Sequence, residues 1–426
     1  MRTRSFFILA SAFASLAWTG NLTAQTTAEA HEVLSDVEYL AADALQGRRI
    51  GSPGADSAAE YIRRRFQAAG LQPSPQGWFQ VFTVSRDAPA VAQAQLGEVT
   101  GRNVIGVLPG RDPVRQNEIV ILGAHYDHLG LGGPHSGAMD QDVLGEVHNG
   151  ADDNASGIAG LIHVAEQLSQ NPPGRTVVFI AFTGEELGLL GSAYYTRHPL
   201  YPNSAIYAMV NMDMIGRLRN DRLIVYGTET AREFPGILDS LNWYSGFELK
   251  KQGDGYGPSD HQSFYLIKRP VLHLFTDLHE DYHRATDDWD KINAEGLAKV
   301  ADYAATLVRA LADRHGPLTF VDAPPPNPHA GAVQTPGYGA YLGSIPDMTD
   351  NPGGVRVSGV RSGSPAEAAG LAAGDIIVKI GDHDVPDLQG MTEALRSYQA
   401  GDEADIVILR DGERKTLKVT FGRRGS

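Results

Sequence analysis

The chain has 426 residues, with 36 Lys or Arg against 51 Asp or Glu, so its formal net charge at neutral pH is −15. This acidic balance disfavours a sequence-independent nucleic-acid binder, which needs basic surface to displace phosphate counterions, and is otherwise typical of a protein kept soluble by its charge. The sequence contains no cysteine, which excludes disulfides and thiolate metal sites. Any bound metal must therefore be held by nitrogen and oxygen ligands.

Residues 1–24 have the pattern of a cleavable signal peptide. Arg2 and Arg4 precede an apolar run at 6–18, and the small residue Ala24 suits cleavage after it. The run is too short to span a bilayer, and no later stretch reaches the roughly 18 apolar residues that a membrane helix requires. We therefore expect an exported protein, periplasmic or extracellular, without a membrane span. An uncleaved signal anchor is the alternative.

Composition divides the rest of the chain into two domains. Residues 28–315 alternate apolar strand runs with amphipathic helices, which predicts an α/β fold with a mixed, mostly parallel sheet flanked by helices. Residues 316–336 are rich in proline, as in a stiff, extended linker. Residues 337–424 contain four short β runs and two helix-like pieces, which predicts a small β-rich domain.

Four apolar strand runs of the larger domain end in polar clusters. The runs are 118–122, 175–182, 205–210 and 270–275. The polar residues that follow them are His125 with Asp127, Glu185 with Glu186, Asp213, and His283. Because ligands bind beyond the carboxyl ends of strands in open parallel sheets, these side chains can converge although they lie far apart in sequence.

Taken singly, the acidic pairs of this domain have ordinary explanations. Asp152 and Asp153 precede an apolar helical pattern and could simply cap that helix, and Glu185 and Glu186 would suit a first helical turn. Taken together, five potential ligands stand after buried strands or at helix starts: His125, Asp152, Glu186, Asp213 and His283. Two metals about 3.5–4 Å apart need one bridging carboxylate and two further ligands each, and five residues meet that need. Ligands without sulfur suit zinc, or manganese or cobalt.

Several motifs resemble a known family. They are GAHYD at 123–127, GADDNASG at 150–157, GEE at 184–186, NMDM at 211–214 and YH at 282–283, with further matches at 45–54 and 259–264. In this order they resemble the co-catalytic zinc exopeptidases (clan MH) that include bacterial leucyl aminopeptidases and glutamate carboxypeptidases. The resemblance covers about residues 30–315 and implies the zinc exopeptidase fold.

The resemblance also implies a metal site with two Zn²⁺ per chain, for which Mn²⁺ or Co²⁺ could substitute. Asp152 would bridge the two ions. His125 and Asp213 would complete one site, and Glu186 and His283 the other. The peptide bond between Asp152 and Asp153 matches one that is cis in relatives.

Three further residues acquire catalytic roles from the resemblance. Glu185 would be the general base, and Asp127 would hold the ring of His125. Tyr256 matches a tyrosine that donates to the scissile carbonyl oxygen in some relatives, with simple packing beside the cleft as the alternative. The expected activity is that of an aminopeptidase acting on peptides with a free N-terminus. The alternatives are a glutaminyl-cyclase-like enzyme with one zinc, a dipeptidase or carboxypeptidase of the same fold, and a binding protein on an inactive scaffold.

The C-terminal domain resembles a PDZ domain. The resemblance rests on two motifs, VRSGSPAEAAGL at 360–371 and AGDIIVKIGD at 373–382, which are similar to those of bacterial periplasmic proteases. The resemblance implies a peptide or protein ligand added as a strand to a sheet edge. The expected carboxylate-binding loop, YLGS at 341–344, departs from the usual GLGF form, and a spacer or assembly role is the alternative.

The remaining histidines of the larger domain are predicted to have structural or surface roles. His128, His135 and His148 border a glycine-rich loop and are predicted to be surface residues. His261, with Asp260, is predicted to support its loop, and His273 to be a hydrogen-bonded core residue.

Overall fold

The structure is a computed structural model that describes residues 29–322 and 340–422. Within these ranges it leaves out residues 134, 140–143, 258, 347–352, 362, 387–389, 392–393 and 396. The predicted signal peptide, 1–24, and most of the predicted linker, 316–336, lie outside the described residues. In the part of the chain that is described, no helix has both the length and the apolar character needed to cross a bilayer.

Nine helices of the described residues are numbered in chain order. They are α1 (29–40), α2 (Pro53–Ala68), α3 (Pro89–Gln93), α4 (Gly157–Gln170), α5 (Leu190–Arg197), α6 (Phe234–Ser245), α7 (His261–Leu266), α8 (Ala294–Asp313) and α9 (Pro365–Ala368). Short 3₁₀ turns occur at Asp43–Arg48, Asn203–Ala205 and Trp289–Lys291. Ser52 caps α2 by accepting a hydrogen bond from the amide of Ala55, as expected for serine before a helix that begins with proline.

The strands are numbered in the same way. Those of the larger domain are β1 (Gln72–Pro73), β2 (Phe79–Val84), β3 (Val99–Leu108), β4 (Ile119–His125), β5 (Gly130–Leu131), β6 (Val147–His148), β7 (Thr176–Phe182), β8 (Ile206–Met212), β9 (Arg222–Tyr226), β10 (Glu248–Lys251) and β11 (Val271–Phe275). Those of the C-terminal domain are β12 (Ser344–Pro346), β13 (Val355–Val360), β14 (Ile376–Ile380), β15 (His383–Asp384), β16 (Glu403–Arg410) and β17 (Glu413–Thr420).

The larger domain is built on a nine-stranded mixed sheet. Its order is β1-β3-β7-β4-β8-β11-β9-β10, and β2 pairs with β3. The central strands β7, β4, β8 and β11 run parallel to one another, and antiparallel pairs flank them. The mixed α/β fold predicted from the sequence is confirmed. Because the four central strands are parallel, their carboxyl ends lie along one edge of the sheet.

Burial explains why the central strands are continuous apolar runs. Every residue of β4 and of β7 is buried, because helices cover both faces of the sheet. One face packs against α2, α4 and α8, whose buried side chains share the largest hydrophobic cluster with β4 and β7. The other face packs against α7 and a second cluster that includes Phe182, Phe264 and Tyr265. The polar strand ends are thus fixed by a rigid core.

The C-terminal domain has its own six-stranded sheet and core. The sheet order is β12-β13-β14-β16-β17, with β15 on β14, and all of its pairs are antiparallel. Among the described residues of this domain, fifteen buried ones form a separate hydrophobic cluster, with Val357, Ile377 and Ile408 fully enclosed. The four β runs predicted here correspond to β13, β14, β16 and β17.

Candidate metal centre

Two histidines and three carboxylates converge at the carboxyl edge of the central strands. His125 Nε2 lies 3.3 Å from Oδ1 of Asp153 and 3.3 Å from Oδ1 of Asp213. His283 Nε2 lies 3.2 Å from Oδ2 of Asp153 and 3.2 Å from Oε2 of Glu186. Asp153 therefore directs one oxygen to each histidine and links two groups of three ligand atoms.

The spacing of these atoms fits tetrahedral zinc. Zinc binds histidine nitrogen and carboxylate oxygen at about 2.0–2.2 Å, so two ligand atoms on one ion lie about 3.3 Å apart. The four separations of 3.2–3.3 Å between nitrogen and oxygen equal that tetrahedral edge. The side chains of His125 and Asp153 are only 1% and 5% exposed, and burying so many charged groups together needs a compensating charge. The residues present therefore fit two divalent cations.

The structure brings Asp153, and not the predicted Asp152, into the position between the two histidines. The side chain of Asp152 contacts other groups: its Oδ1 accepts a hydrogen bond of 2.7 Å from the amide of Gly216. Its Oδ2 lies 3.2 Å from Nε2 of His279. The cis peptide bond is likewise between Asp153 and Asn154, one residue after the predicted position. Both expectations are corrected by one residue.

Two buried side chains that the sequence analysis did not single out hold this segment. Asp287 accepts hydrogen bonds of 3.0 and 3.1 Å from the amides of Asp152 and Asp153. Arg48 is 1% exposed and donates to the carbonyls of Asn149 and Gly150 at 2.6 and 2.9 Å. Arg48 is the last residue of the LQGR motif at 45–48, and that motif could have indicated its role. Asp287 lies in no motif.

The carboxylate of Asp127 lies closer to Glu185, the predicted base, than to His125, the residue it was predicted to hold. Its Oδ1 accepts a hydrogen bond of 3.2 Å from the amide of Glu185. His125 Nδ1 lies 3.2 Å from the backbone carbonyl of Asp127 and 3.8 Å from its carboxylate. The carbonyl of Asp127 is thus the nearer acceptor for the ring of His125, and its carboxylate positions the backbone at Glu185.

Glu185 lies inside the centre with a raised proton affinity. A carboxylate oxygen of Glu185 and ligand atoms of His125 and Asp213 all lie within 4.8 Å of one another. Burial raises the pKa of Glu185 well above its ordinary value, and the charges of Glu186 and Asp213 add to this, against the opposing effect of His125. A carboxylate of raised pKa is suited to accept and return a proton. A divalent cation nearby would moderate the shift.

Glu186 has the opposite character. Burial and the charge of Asp153 raise its pKa, but His283 and His128 outweigh them and bring it to about 2. Two adjacent glutamates therefore differ in proton affinity, as expected when one is a ligand and its neighbour a base.

His128 is a buried member of the centre, which contradicts its predicted surface position. Its side chain is fully buried, and its Nδ1 lies 2.8 Å from Oε1 of Glu186. This separation is a hydrogen bond through which His128 can orient Glu186. Ligand atoms of His128, Asp153 and Glu186 also lie within 4.8 Å of one another. His148 is also buried, again against expectation, whereas His135 is exposed as predicted. His273 is buried with its Nδ1 3.2 Å from the side-chain nitrogen of Asn211, which agrees with the predicted core role.

Tyr256 is directed away from the centre, against the role implied by the resemblance. It is 6% exposed, and its hydroxyl donates to the carbonyl of Val360 in the C-terminal domain at 3.2 Å. Two other tyrosines, Tyr226 and Tyr282, line the pocket of the centre, and the ring of Tyr282 stacks on that of His283 with centroids 3.9 Å apart. Burial and the surrounding carboxylates raise the pKa of Tyr282 well above its ordinary value, so its hydroxyl remains a donor.

Comparison with known families and proteins agrees with this architecture. Residues 103–308 match "Peptidase family M28", and residues 340–421 match "PDZ domain". The chain is 34% identical over 220 residues to aminopeptidase YwaD of Bacillus subtilis, which covers 49% of this chain and 44% of that protein.

Two solved structures share the fold and differ in their named activities. A zinc aminopeptidase from Bacillus subtilis superposes with a TM-score of 0.52 at 18% identity, covering 67% of this chain and 96% of that one. A glutaminyl cyclase from Bacteroides thetaiotaomicron also gives a TM-score of 0.52 at 18% identity, covering 66% and 97%. At this identity the likeness establishes the fold and leaves the reaction to the site.

Proposed function

Since residues 103–308 belong to peptidase family M28 and residues 340–421 to the PDZ domains, we propose that this protein is a zinc-dependent aminopeptidase with two metal ions per chain. The observation that carries the proposal is the position of Asp153 between His125 and His283, at 3.3 and 3.2 Å. One carboxylate with an oxygen toward each of two histidines is the arrangement that a pair of metal ions requires. Manganese or cobalt could substitute for zinc at such nitrogen and oxygen ligands.

The residues of the chain divide into ligands and a base. His125 and Asp213 would hold one ion, Glu186 and His283 the other, and Asp153 would bridge them. Zinc, when bound, polarises a carbonyl group and lowers the pKa of a water molecule. Glu185 would accept the proton of the attacking water and deliver it to the nitrogen of the leaving amine as the peptide carbon–nitrogen bond breaks.

Two further features favour a peptide bond next to a free N-terminus. Tyr282 lines the pocket of the metal centre, and its protonated hydroxyl can donate to the oxygen of the scissile carbonyl. Asp213 and Glu185 line the same pocket of about 100 Å³, which has room for little more than the first residue of a peptide. Their carboxylates complement an ammonium group.

The principal alternative is a glutaminyl-cyclase-like enzyme with one zinc. The fold permits it, because a cyclase shares the fold as closely as the aminopeptidase does. The two histidine–carboxylate groups around Asp153 favour two ions, since a single site would need only one of them. A dipeptidase or carboxypeptidase of the same fold is not favoured by any contact described above. The leader at 1–24 further supports export to the periplasm or the extracellular space.

Zinc content separates these functions. Purified protein, dialysed against metal-free buffer after incubation with zinc, should retain two ions per chain by atomic emission. Chelation should abolish peptide hydrolysis, and zinc should restore it. A content of one ion per chain, with loss of ammonia from a peptide that begins with glutamine, would identify a cyclase instead. Protein that binds no zinc would refute both enzymatic functions.

A further inference from the structure

A cleft of about 870 Å³ leads out of the metal centre and is lined by both domains. Glu185, Glu186 and Tyr282 line the cleft and also the inner pocket of the centre, so the two spaces adjoin at these residues. Ile345, Pro346 and Val357 line it from the C-terminal domain. A peptide too long for the inner pocket can therefore extend along the C-terminal domain.

Specific contacts fix the C-terminal sheet in this place. Tyr256 donates a hydrogen bond to the carbonyl of Val360, and the guanidinium carbon of Arg361 lies 5.1 Å from the centre of the Tyr256 ring. Gly359 permits the close approach, because a Cβ there would lie 2.6 Å from Cδ2 of Leu266. Ile345 packs against the buried cluster that contains Tyr256 and Tyr265. These contacts involve both strands, β12 and β13, that border the cleft.

The walls of the cleft are apolar, and its two cations lie outside the inner pocket. Leu189, Leu266 and Ile267 line the cleft from the larger domain. Arg197 and Arg356 line the cleft, one from each domain, and neither lines the inner pocket. Arg197 is exposed and Arg356 is half-buried. The cleft is thus lined by carboxylates where it adjoins the inner pocket, by apolar side chains, and by one arginine from each domain.

We propose that the C-terminal domain forms one wall of the substrate cleft and that Arg197 and Arg356 bind the terminal carboxylate of short peptides. This inference rests on the proposed function, since it assumes that the N-terminal residue occupies the inner pocket. The volume lies within the range of about 300–1000 Å³ for small-ligand sites, which fits a peptide of a few residues and not a folded protein. Apolar side chains after the first residue would pack along the apolar lining, which includes Ile267 and Ile345.

Matched peptides test the carboxylate site. Trileucine as the free acid and trileucine amide have the same N-terminus and length, and differ in charge at the C-terminus. The wild-type kcat/KM should be about twofold to fivefold higher for the acid, as for a partly exposed ion pair, and the preference should shrink with added salt. Arg356→Gln and Arg197→Gln should each lower the ratio, and the double variant should bring it close to one.

The control is Arg414→Gln on β17, an exposed arginine of the same domain that does not line the cleft. It should leave the ratio of acid to amide at the wild-type value. Equal kcat/KM for acid and amide in the wild type, or a ratio that Arg414→Gln lowers as much as Arg356→Gln does, would overturn the inference. Failure of the wild type to cleave either peptide would instead refute the proposed aminopeptidase function.

Discussion

Replacing Glu185 with glutamine should lower kcat for peptide hydrolysis by about 10²–10⁴-fold, the usual contribution of a general base. The amide keeps the size of the side chain and cannot accept the proton of the attacking water. Because Glu185 is assigned as the base and not as a ligand, the zinc content of Glu185→Gln should remain that of the wild type. Rate assays and metal analysis on the same preparation measure both quantities.

The location of Glu185 makes this a demanding test. Its carboxylate lies within 4.8 Å of ligand atoms of His125 and Asp213, so it could itself be a ligand. A Glu185→Gln variant that loses one zinc ion would show that Glu185 binds metal. Unchanged turnover would remove its catalytic role altogether. The amide of Glu185 bonds to Asp127, so its backbone position should survive the substitution.

Substitution at Asp153 should be far more damaging to metal binding than the same substitution at Asp152. Asp153→Asn removes the charge that both histidines face, so we expect zinc retention to fall below two ions per chain and activity to fall by at least about 10²-fold. Asp152→Asn keeps an oxygen that can accept from the amide of Gly216. Because Asp152 supports the ligands and is not itself one in this assignment, Asp152→Asn should lower zinc affinity by at most about 10–100-fold.

The two variants are matched controls for one another, since they are adjacent and undergo the same chemical change. Zinc retention after dialysis, measured for both at equal protein concentration, gives the comparison. Full zinc retention in Asp153→Asn together with metal loss in Asp152→Asn would contradict the bridging position of Asp153. The original sequence-based assignment of Asp152 would then be restored.

The sequence could predict the sheet and its polar edge because both follow from residue patterns. Continuous apolar runs become the buried strands β4, β7, β8 and β11, and parallel strands must present their carboxyl ends together. Such patterns could not determine whether Asp152 or Asp153 lies between the two histidines. Residues 151–156 form an irregular turn in which Asp153 has φ −107° and ψ 90°, so neither helical nor strand periodicity says which side chain points inward.

Contacts between segments that are distant in sequence were the other feature that could not be predicted from the sequence. His128 was expected on a loop surface, and it is buried because Glu186, 58 residues later, supplies its hydrogen-bond partner. Tyr256 was expected at the catalytic centre, and its hydroxyl instead meets Val360, 104 residues later, in the other domain. No local motif encodes how two domains pack. The absence of cysteine restricted the candidate metal ligands to nitrogen and oxygen groups from the sequence alone.

We propose above all that this protein removes residues from free peptide N-termini. Its most direct test is mass spectrometry of a peptide library incubated with the zinc-loaded enzyme, with and without N-terminal acetylation. We expect stepwise loss of single N-terminal residues from the free peptides and no cleavage of the acetylated ones. Equal cleavage of acetylated peptides, or removal of residues from the C-terminus, would contradict it.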